Sequence, residues 1–498
     1  MRLTFEDKLL IKEVWKILSK LLLLFLAAKL TNGLALHLFV FYGLRAALAN
    51  RTGLAIGCYI IIPLIVVMNP ILVPLGSSFT TLRLGFIAMT LLLAFSSSQR
   101  KGQHNVPIGL LWAYLAVSCI SSLTGYNPMI SYLKLVNFAS FLIGLSLGLR
   151  NLHQRPRDIE FIRKMFLAIS AIVILGSAAT LLSPGIAYYS SVSRVIYTEG
   201  LGAASDVINS GMTMGLLSGI TSHSQTLSTL LACTAAWVLC DMLFIERRKS
   251  TPHLVMLVTS IPLLYLTRSR GALLSSVVAV GTIYSFCFHY LPVSPAVKNV
   301  MRRALTGMIV LVAILAAILE VKDRSISRWV RKTDDVAGDE RSLSEAFTQS
   351  RSGLVEMNLR DFRRNPLFGS GFQVTEGYQA LKGQTKLLLS APIEKGVLPL
   401  MILGESGIAG ALVFLTFVAV FYGTCLQKRY IVTATLFTVL MTSNLGEATF
   451  FSTGGAGGII WIMSMVGGFT IDMVVLCRRK QERQLRQPFI FPQQFRRY

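Results

Sequence analysis

Gly396-Val-Leu-Pro-Leu-Met-Ile-Leu-Gly-Glu-Ser-Gly-Ile-Ala-Gly-Ala-Leu-Val-Phe-Leu-Thr-Phe-Val-Ala-Val-Phe-Tyr-Gly-Thr424 carries a single charged side chain, Glu405. A helix of roughly 20 apolar residues crosses a hydrocarbon core of about 30 Å, and this run is long enough. Runs of the same kind recur along nearly the whole chain, which is 53% hydrophobic and only 14% charged, with a mean hydropathy of +0.60. They are continuous and not alternating, so the backbone is satisfied in lipid by helices and not by a barrel. The fold expected is all-α, a polytopic membrane protein with about 12 and up to 14 transmembrane helices.

The formal charge is +24, from 48 Lys and Arg against 24 Asp and Glu. Most of the excess lies in short connectors: Arg100-Lys101, Arg150 to Lys164, Glu246 to Lys249, Lys298 to Arg303, Lys428-Arg429 and the tail from Arg478. That pattern is a positive-inside topology signal and argues against nucleic acid as a partner. It places both termini in the cytoplasm. The N-terminal segment 1–52 is apolar but broken by Lys16, Lys20, Lys29, His37 and Arg45, and reads either as an added hairpin or as in-plane amphipathic helices. Both readings leave the downstream parity unchanged, and no cleavable signal peptide is expected. The remaining divisions are transmembrane helices over 53–320, a large extracytoplasmic loop over 321–395, further transmembrane helices over 396–477 and a basic cytoplasmic tail over 478–498.

The loop 321–395 concentrates many of the few acidic residues, mixed with Lys and Arg, as a folded and solvated segment does. From Ser344 to Arg364 the apolar residues Phe347, Leu354, Val355, Leu359 and Phe362 recur at helical spacing, and Asn365-Pro366 ends the run. This predicts an amphipathic helix over the mouth of the bundle. Arg351 lies on the face of that stripe, either turned to the interior or snorkelling to the surface. Pro366-Leu-Phe-Gly-Ser-Gly-Phe372 follows as a tight turn whose glycines permit positive φ and close backbone approach. No phosphate-cradling Gly-rich loop precedes a suitable helix, so nucleotide binding has little support.

Leu266-Thr-Arg268-Ser-Arg270-Gly271 joins two spans with almost no connector, on the side where basic residues are not expected. Guanidinium groups at that depth cost a few kcal/mol unless a cavity, lipid phosphate or bound anion receives them, and their planar donors suit a diphosphate. His223 and Gln225 open another span and are either structural or part of a site. Glu405 is costly in an apolar run, so it pairs, caps a break in the helix or lies near the interface. The seven cysteines fall in or beside spans, and neither they nor the six histidines have metal-ligand spacing. No metal and no cofactor is expected.

In this order and spacing the segments resemble the O-antigen ligase and O-antigen polymerase superfamily of bacterial envelope glycosyltransferases, over roughly residues 200 to 470. His223-Ser-Gln225 is similar to the family's His-Pro-Asn-like segment. Thr267-Arg-Ser-Arg270-Gly271 is similar to its Thr-x-Ser-Arg-Gly segment, and Arg351 through Gly371 to its Arg, helix, Pro-Leu-x-Gly-x-Gly pattern. Glu405 through Gly410 is similar to its Glu-x-Gly-hydrophobic-x-Gly ending. The resemblance implies a helical fold related to the GT-C glycosyltransferases, with about a dozen spans and one large periplasmic loop. One departure stands out: many ligases carry His-Asn just before the last of these segments, whereas this chain has Glu394-Lys395.

The resemblance implies a donor glycan on a polyprenyl diphosphate, held beside membrane lipids at the outer face of the bacterial inner membrane. The acceptor is another glycan or lipid A core. An acceptor hydroxyl attacks the anomeric carbon and lipid diphosphate leaves, with inversion. Arg270 and Arg351 would stabilise the leaving group, with Arg268 and Lys395 as further diphosphate ligands. Glu394, or after it His223, would be the general base; Lys395 could serve only if strongly desolvated. Gln225 and Glu405 are further candidate site residues. The alternatives are a transporter for an anionic substrate, or a non-catalytic binder of lipid-linked glycan, for which the missing His speaks.

Overall fold

A computed structural model describes residues 4–49, 51–75, 78–98, 106–152, 156–198, 202–212, 216–246, 250–289, 299, 352–374, 396–445, 449–453 and 455–486. The last part of the expected transmembrane region 53–320, most of the loop 321–395 and the tail beyond 486 lie outside the described residues.

Among the described residues, twelve helices precede the loop: α1 (Phe5–Leu30), α2 (Leu34–Leu48), α3 (Thr52–Val67), α4 (Ser78–Ser98), α5 (Val106–Leu123), α6 (Pro128–Leu152), α7 (Pro156–Ala171), α8 (Ser177–Thr180), α9 (Pro184–Ala187), α10 (Ser224–Cys240), α11 (Thr251–Leu266) and α12 (Arg270–His289). Then come α13 (Ser352–Arg364), α14 (Leu398–Lys428), α15 (Ile431–Ser443), α16 (Ala456–Ile462) and α17 (Gly468–Arg486). Single π turns at Ile172–Gly176, Asp241–Glu246 and Met463–Gly467 link or extend α7 and α8, α10, and α16 and α17. Among the described residues, four helices are long and apolar enough to cross a membrane: Pro128–Ser146, Ser224–Glu246, Leu398–Lys428 and Ala456–Arg479. Six shorter apolar helices accompany them.

One element departs from the all-α expectation. Strands β1 (Tyr189–Thr198) and β2 (Gly202–Met212) pair antiparallel in a hairpin between α9 and α10, with an irregularity between Ser190 and Val192. The segment is rich in Ser, Ala and Gly and too short of apolar residues to extend a span, so its sequence has no strong period of either kind.

Residues 5–48 form α1 and α2, which turn back on each other at Thr31–Gly33. Thr4 begins α1 in a capping box: its Oγ1 accepts from Asp7 N–H, and Asp7 Oδ2 accepts from Thr4 N–H, each at 3.1 Å. The bundle's interior is aromatic. Tyr114 stacks on Phe451 at 5.1 Å, Phe138 meets Phe451 edge-on at 5.2 Å, and Phe450 meets Trp461 at 4.7 Å. Phe372, from the turn after α13, is fully buried in this cluster and anchors the loop in the bundle. Such ring pairs add about 0.5–1.5 kcal/mol each beyond the area they bury.

One end of the bundle is tied by charge. Arg163 of α7 donates from Nε to Asp241 Oδ1 at 2.7 Å, and from Nη2 to Asp241 Oδ2 at 2.9 Å and Glu246 Oε1 at 2.6 Å. His253 Nε2 lies 2.9 Å from Asp241 Oδ2 and its Nδ1 lies 2.8 Å from Ser250 Oγ, which in turn donates to Asp7 Oδ1 at 3.1 Å. The network joins α1, α7, α10 and α11. Asp472 of α17 caps the start of α15, accepting from the backbone N–H of Val432 and Thr433 and from Thr433 Oγ1.

Candidate functional site

The opposite end of the bundle gathers the segments singled out in the sequence. Helix α10 begins there, and the stretch leading into it is held by backbone. Leu217 N–H donates to Leu266 O at 3.1 Å, Ser218 and Gly219 N–H donate to Ala187 O, and Ser222 N–H donates to Val67 O at 2.9 Å. Asn69 N–H returns to Ile220 O at 2.7 Å. Gly219 sits at φ +57°, and a Cβ there would lie 2.7 Å from Ser177 Oγ, so the close threading requires glycine. The result joins the end of α3, the start of α10 and the end of α11.

His223 is the N-cap of α10: in an extended conformation, its Nδ1 accepts the N–H of Gln225 at 3.2 Å. A neutral ring that accepts at Nδ1 carries its proton on Nε2, so the remaining nitrogen is a donor. Gln225 is placed in the first turn of the same helix.

Arg268 and Arg270 lie at the junction of α11 and α12. Arg268 takes the left-handed φ of +51°, and its N–H donates to Tyr265 O at 3.0 Å. That conformation is uncommon for a residue with a Cβ and closes the turn in very few residues. Arg270 is the first residue of α12 and is half-buried. It therefore adds a guanidinium to the positive end of a helix dipole, which favours an anion. Helices α10 and α12 pack together and both start at this end.

The glycine turn and the Glu405 segment, read separately in the sequence, form one interlock. Helix α14 is opened at Gly407, whose φ of 62° and ψ of −163° are non-helical. The backbone groups released there pair with the turn after α13. Ser370 N–H donates to Gly404 O at 2.8 Å and Gly371 N–H to Glu405 O at 3.1 Å, while Ile408 and Ala409 N–H donate to Pro366 O and Leu367 O. The two strands of chain approach so closely that a Cβ on Gly369 would lie 2.3 Å from the Glu405 carbonyl carbon, and one on Gly407 2.4 Å from that of Leu367. Ser121 Oγ also donates to Glu405 O. Of the readings open for Glu405, the structure places it, fully buried, at a break in the helix.

Helix α13 confirms the stop at Asn365-Pro366 and changes the expected face. Its most buried positions are Asn358 and Asp361, both polar, whereas Val355, Leu359 and Phe362 are only half-buried. The reason is what lies beneath: Gly404 of α14 under Asn358, and Tyr126, whose hydroxyl donates to Asp361 Oδ1 at 2.8 Å. Arg364 Nη1 donates to the Tyr126 oxygen at 2.8 Å. Burial, then the Asp361 carboxylate, push the Tyr126 phenol up to about 12, so it stays a donor. Arg351, Glu394 and Lys395 lie outside the described residues.

Sequence reading passed over Lys134. It is buried in the second turn of α6, and its Nζ donates to Gln373 O at 3.0 Å, while Ser131 Oγ donates to Phe372 O at 2.9 Å. A lysine in the early part of an apolar span was the available signal.

Residues 255–415 match the family model described as O-Antigen ligase. The match takes in the α11–α12 junction, α13, the glycine turn and the break in α14. The resemblance to the O-antigen ligase and polymerase superfamily stands on it, and it supports an O-antigen ligase-like function with glycosyltransferase-type activity. With the apolar helices it indicates a multi-pass membrane protein. No curated protein matches the chain.

Proposed function

We propose that the chain is a metal-independent, inverting glycosyltransferase. It moves a glycan from a polyprenyl diphosphate to a saccharide hydroxyl at the outer, periplasmic face of a bacterial inner membrane, in surface polysaccharide biosynthesis. The observation that supports this most is the placement of Arg268 and Arg270 in one tight junction, on the end of the bundle where α10 and α12 both begin.

The chemistry follows from charge. As the bond from the anomeric carbon to the diphosphate oxygen lengthens, negative charge grows on the leaving group and positive charge on the sugar. Arg270, backed by the dipole of α12, meets the leaving diphosphate, with Arg268 and Arg351 as further donors. The acceptor oxygen bonds to the anomeric carbon from the opposite face, and its proton passes to a base. Glu394 takes that role in this reading, because His223 is committed at Nδ1 to the helix cap. His223 Nε2–H and Gln225 instead hold donor or acceptor oxygens. Lys395 adds a cation beside the base.

Ligase and polymerase differ here only in the acceptor. The test supplies purified chain with polyprenyl diphosphate-linked repeat units, with and without lipid A core, and separates the products on a gel. Product that requires lipid A core identifies a ligase, and lengthened lipid-linked chains without it identify a polymerase. Transfer that survives Arg270→Ala and Arg351→Ala unchanged would overturn the assignment.

A further inference from the structure

Helix α1 carries Lys8, Lys12, Lys16 and Lys20, each four residues from the next, so they form one stripe along the helix. All four are exposed. Lys16 pairs with Glu13 at 2.6 Å, and the second oxygen of Glu13 lies 3.9 Å from Lys164 of α7. Lys8, Lys12 and Lys20 make no ion pair among the described residues.

The stripe does not stay cationic. Leu23 and Leu30 follow Lys16 at intervals of seven residues, which returns them to the same face, and both are exposed, Leu23 at 65%. Trp15 follows Lys8 by seven and is 58% exposed on that face too. A face that turns from lysine to leucine along its length fits the boundary of a bilayer. Ammonium groups lie at the level of lipid phosphate, a tryptophan at the interface and leucines among the acyl chains. Lys20 is the lysine nearest that boundary.

The stripe is held in place. Asp7 closes the capping box with Thr4, its Oδ1 accepts from Ser250 Oγ at 3.1 Å, and α1 packs along α7. These ties fix the start of α1 at the end of the bundle that holds Arg163 and Asp241, away from the candidate site.

We infer that Lys8, Lys12, Lys16 and Lys20 form a binding surface for anionic lipid headgroups in the leaflet opposite the candidate site. Charge complementarity selects an anion. Continuity with the exposed leucines selects a lipid, because the phosphates that reach the lysines are those already carried on acyl chains beside them. The surface lies apart from the transfer chemistry, so either can fail without the other.

Trp15 reports on the surface directly. The full chain and its Trp15→Phe variant are reconstituted in phosphatidylcholine vesicles that contain phosphatidylglycerol brominated high on its acyl chains, and the difference in fluorescence isolates the quenching of Trp15. Half-maximal quenching is expected at a mole fraction of brominated phosphatidylglycerol at least about fivefold below that of brominated phosphatidylcholine. Lys20→Gln should reduce this preference about fivefold, the ordinary share of one lysine at an anionic surface. Lys8→Gln, Lys12→Gln, Lys16→Gln and Lys20→Gln together should abolish it, whereas arginine at the same four positions keeps it. Equal quenching by the two lipids, no quenching by either, or a preference that survives loss of all four lysines overturns the surface. Inorganic phosphate or polyglutamate that cancels the preference assigns the lysines to a soluble anion and overturns lipid as the occupant. If the fourfold variant does not accumulate, Lys12→Gln and Lys20→Gln are measured singly, and an unchanged preference in both overturns the inference.

Discussion

At the end of the bundle where α1, α7, α10 and α11 meet, Arg163, Asp241, Glu246, His253 and Asp7 hold four helices through side-chain charge. At the other end many of the described ties are backbone to backbone: residues 217–222 thread between α3, α9 and α11, and residues 366–371 fill the break in α14. At the first end the bidentate pair of Arg163 with Asp241 is the centre of the network. At the second, Arg268 and Arg270 stand half-buried in the tight junction of α11 and α12, beside a scaffold whose described threading is by backbone. A site that must place cations against an anion is better supported by glycines and carbonyls than by ion pairs that would compete for those cations.

Four substitutions probe this contrast. Asp241→Ala leaves Arg163 buried without its bidentate partner and is expected to destabilise the fold by about 3–5 kcal/mol, read by thermal unfolding in detergent, with an unchanged donor KM in the surviving protein. Gly407→Ala, with its Cβ against Leu367 and a backbone conformation open almost only to glycine, should cost about 3 kcal/mol. Normal stability in Gly407→Ala would show that the interlock is dispensable. Arg270→Ala should keep the melting temperature and lower transfer by about 100-fold, as loss of one charge-stabilising donor does; a lowered melting temperature would place Arg270 with the structural charges instead. Gly423→Ala lies on the same helix as Gly407 but meets nothing within 4 Å. It should stabilise by about 0.5–1 kcal/mol, the ordinary gain of alanine over glycine in a helix.

Side-chain periodicity carried much of this architecture, and its limits are physical. The Gly396–Thr424 run announces a span, and Asn365-Pro366 announces the end of α13, because apolar length and proline both act locally. Pro366–Gly371 and Glu405–Gly410 each read as a place of close approach, but not as partners of one another. Backbone hydrogen bonds have no side-chain signature, so glycine reports that something comes near without saying what. The buried face of α13 was misjudged for a related reason. Burial of Asn358 and Asp361 depends on Gly404 and Tyr126 beneath them, residues remote in sequence. His253 was equally unremarkable until Asp241 and Ser250 stood beside it, and the β-hairpin, built largely of small residues, offered no period at all.

The opened turn of α14 also bears on how the chain is made. Pro366 to Gly371 leaves the ribosome before Gly404 to Ala409, so one half of the interlock is waiting when the other arrives. Until they join, α14 carries amides and carbonyls with no internal partner in apolar surroundings, a condition that a straight helix never faces. Gly371 and Gly404 are 33 residues apart in the sequence, so closing that loop costs about 3 kcal/mol of chain entropy, which the interlock must offset. A chain that fails to close it presents a span with unpaired backbone groups around Gly407.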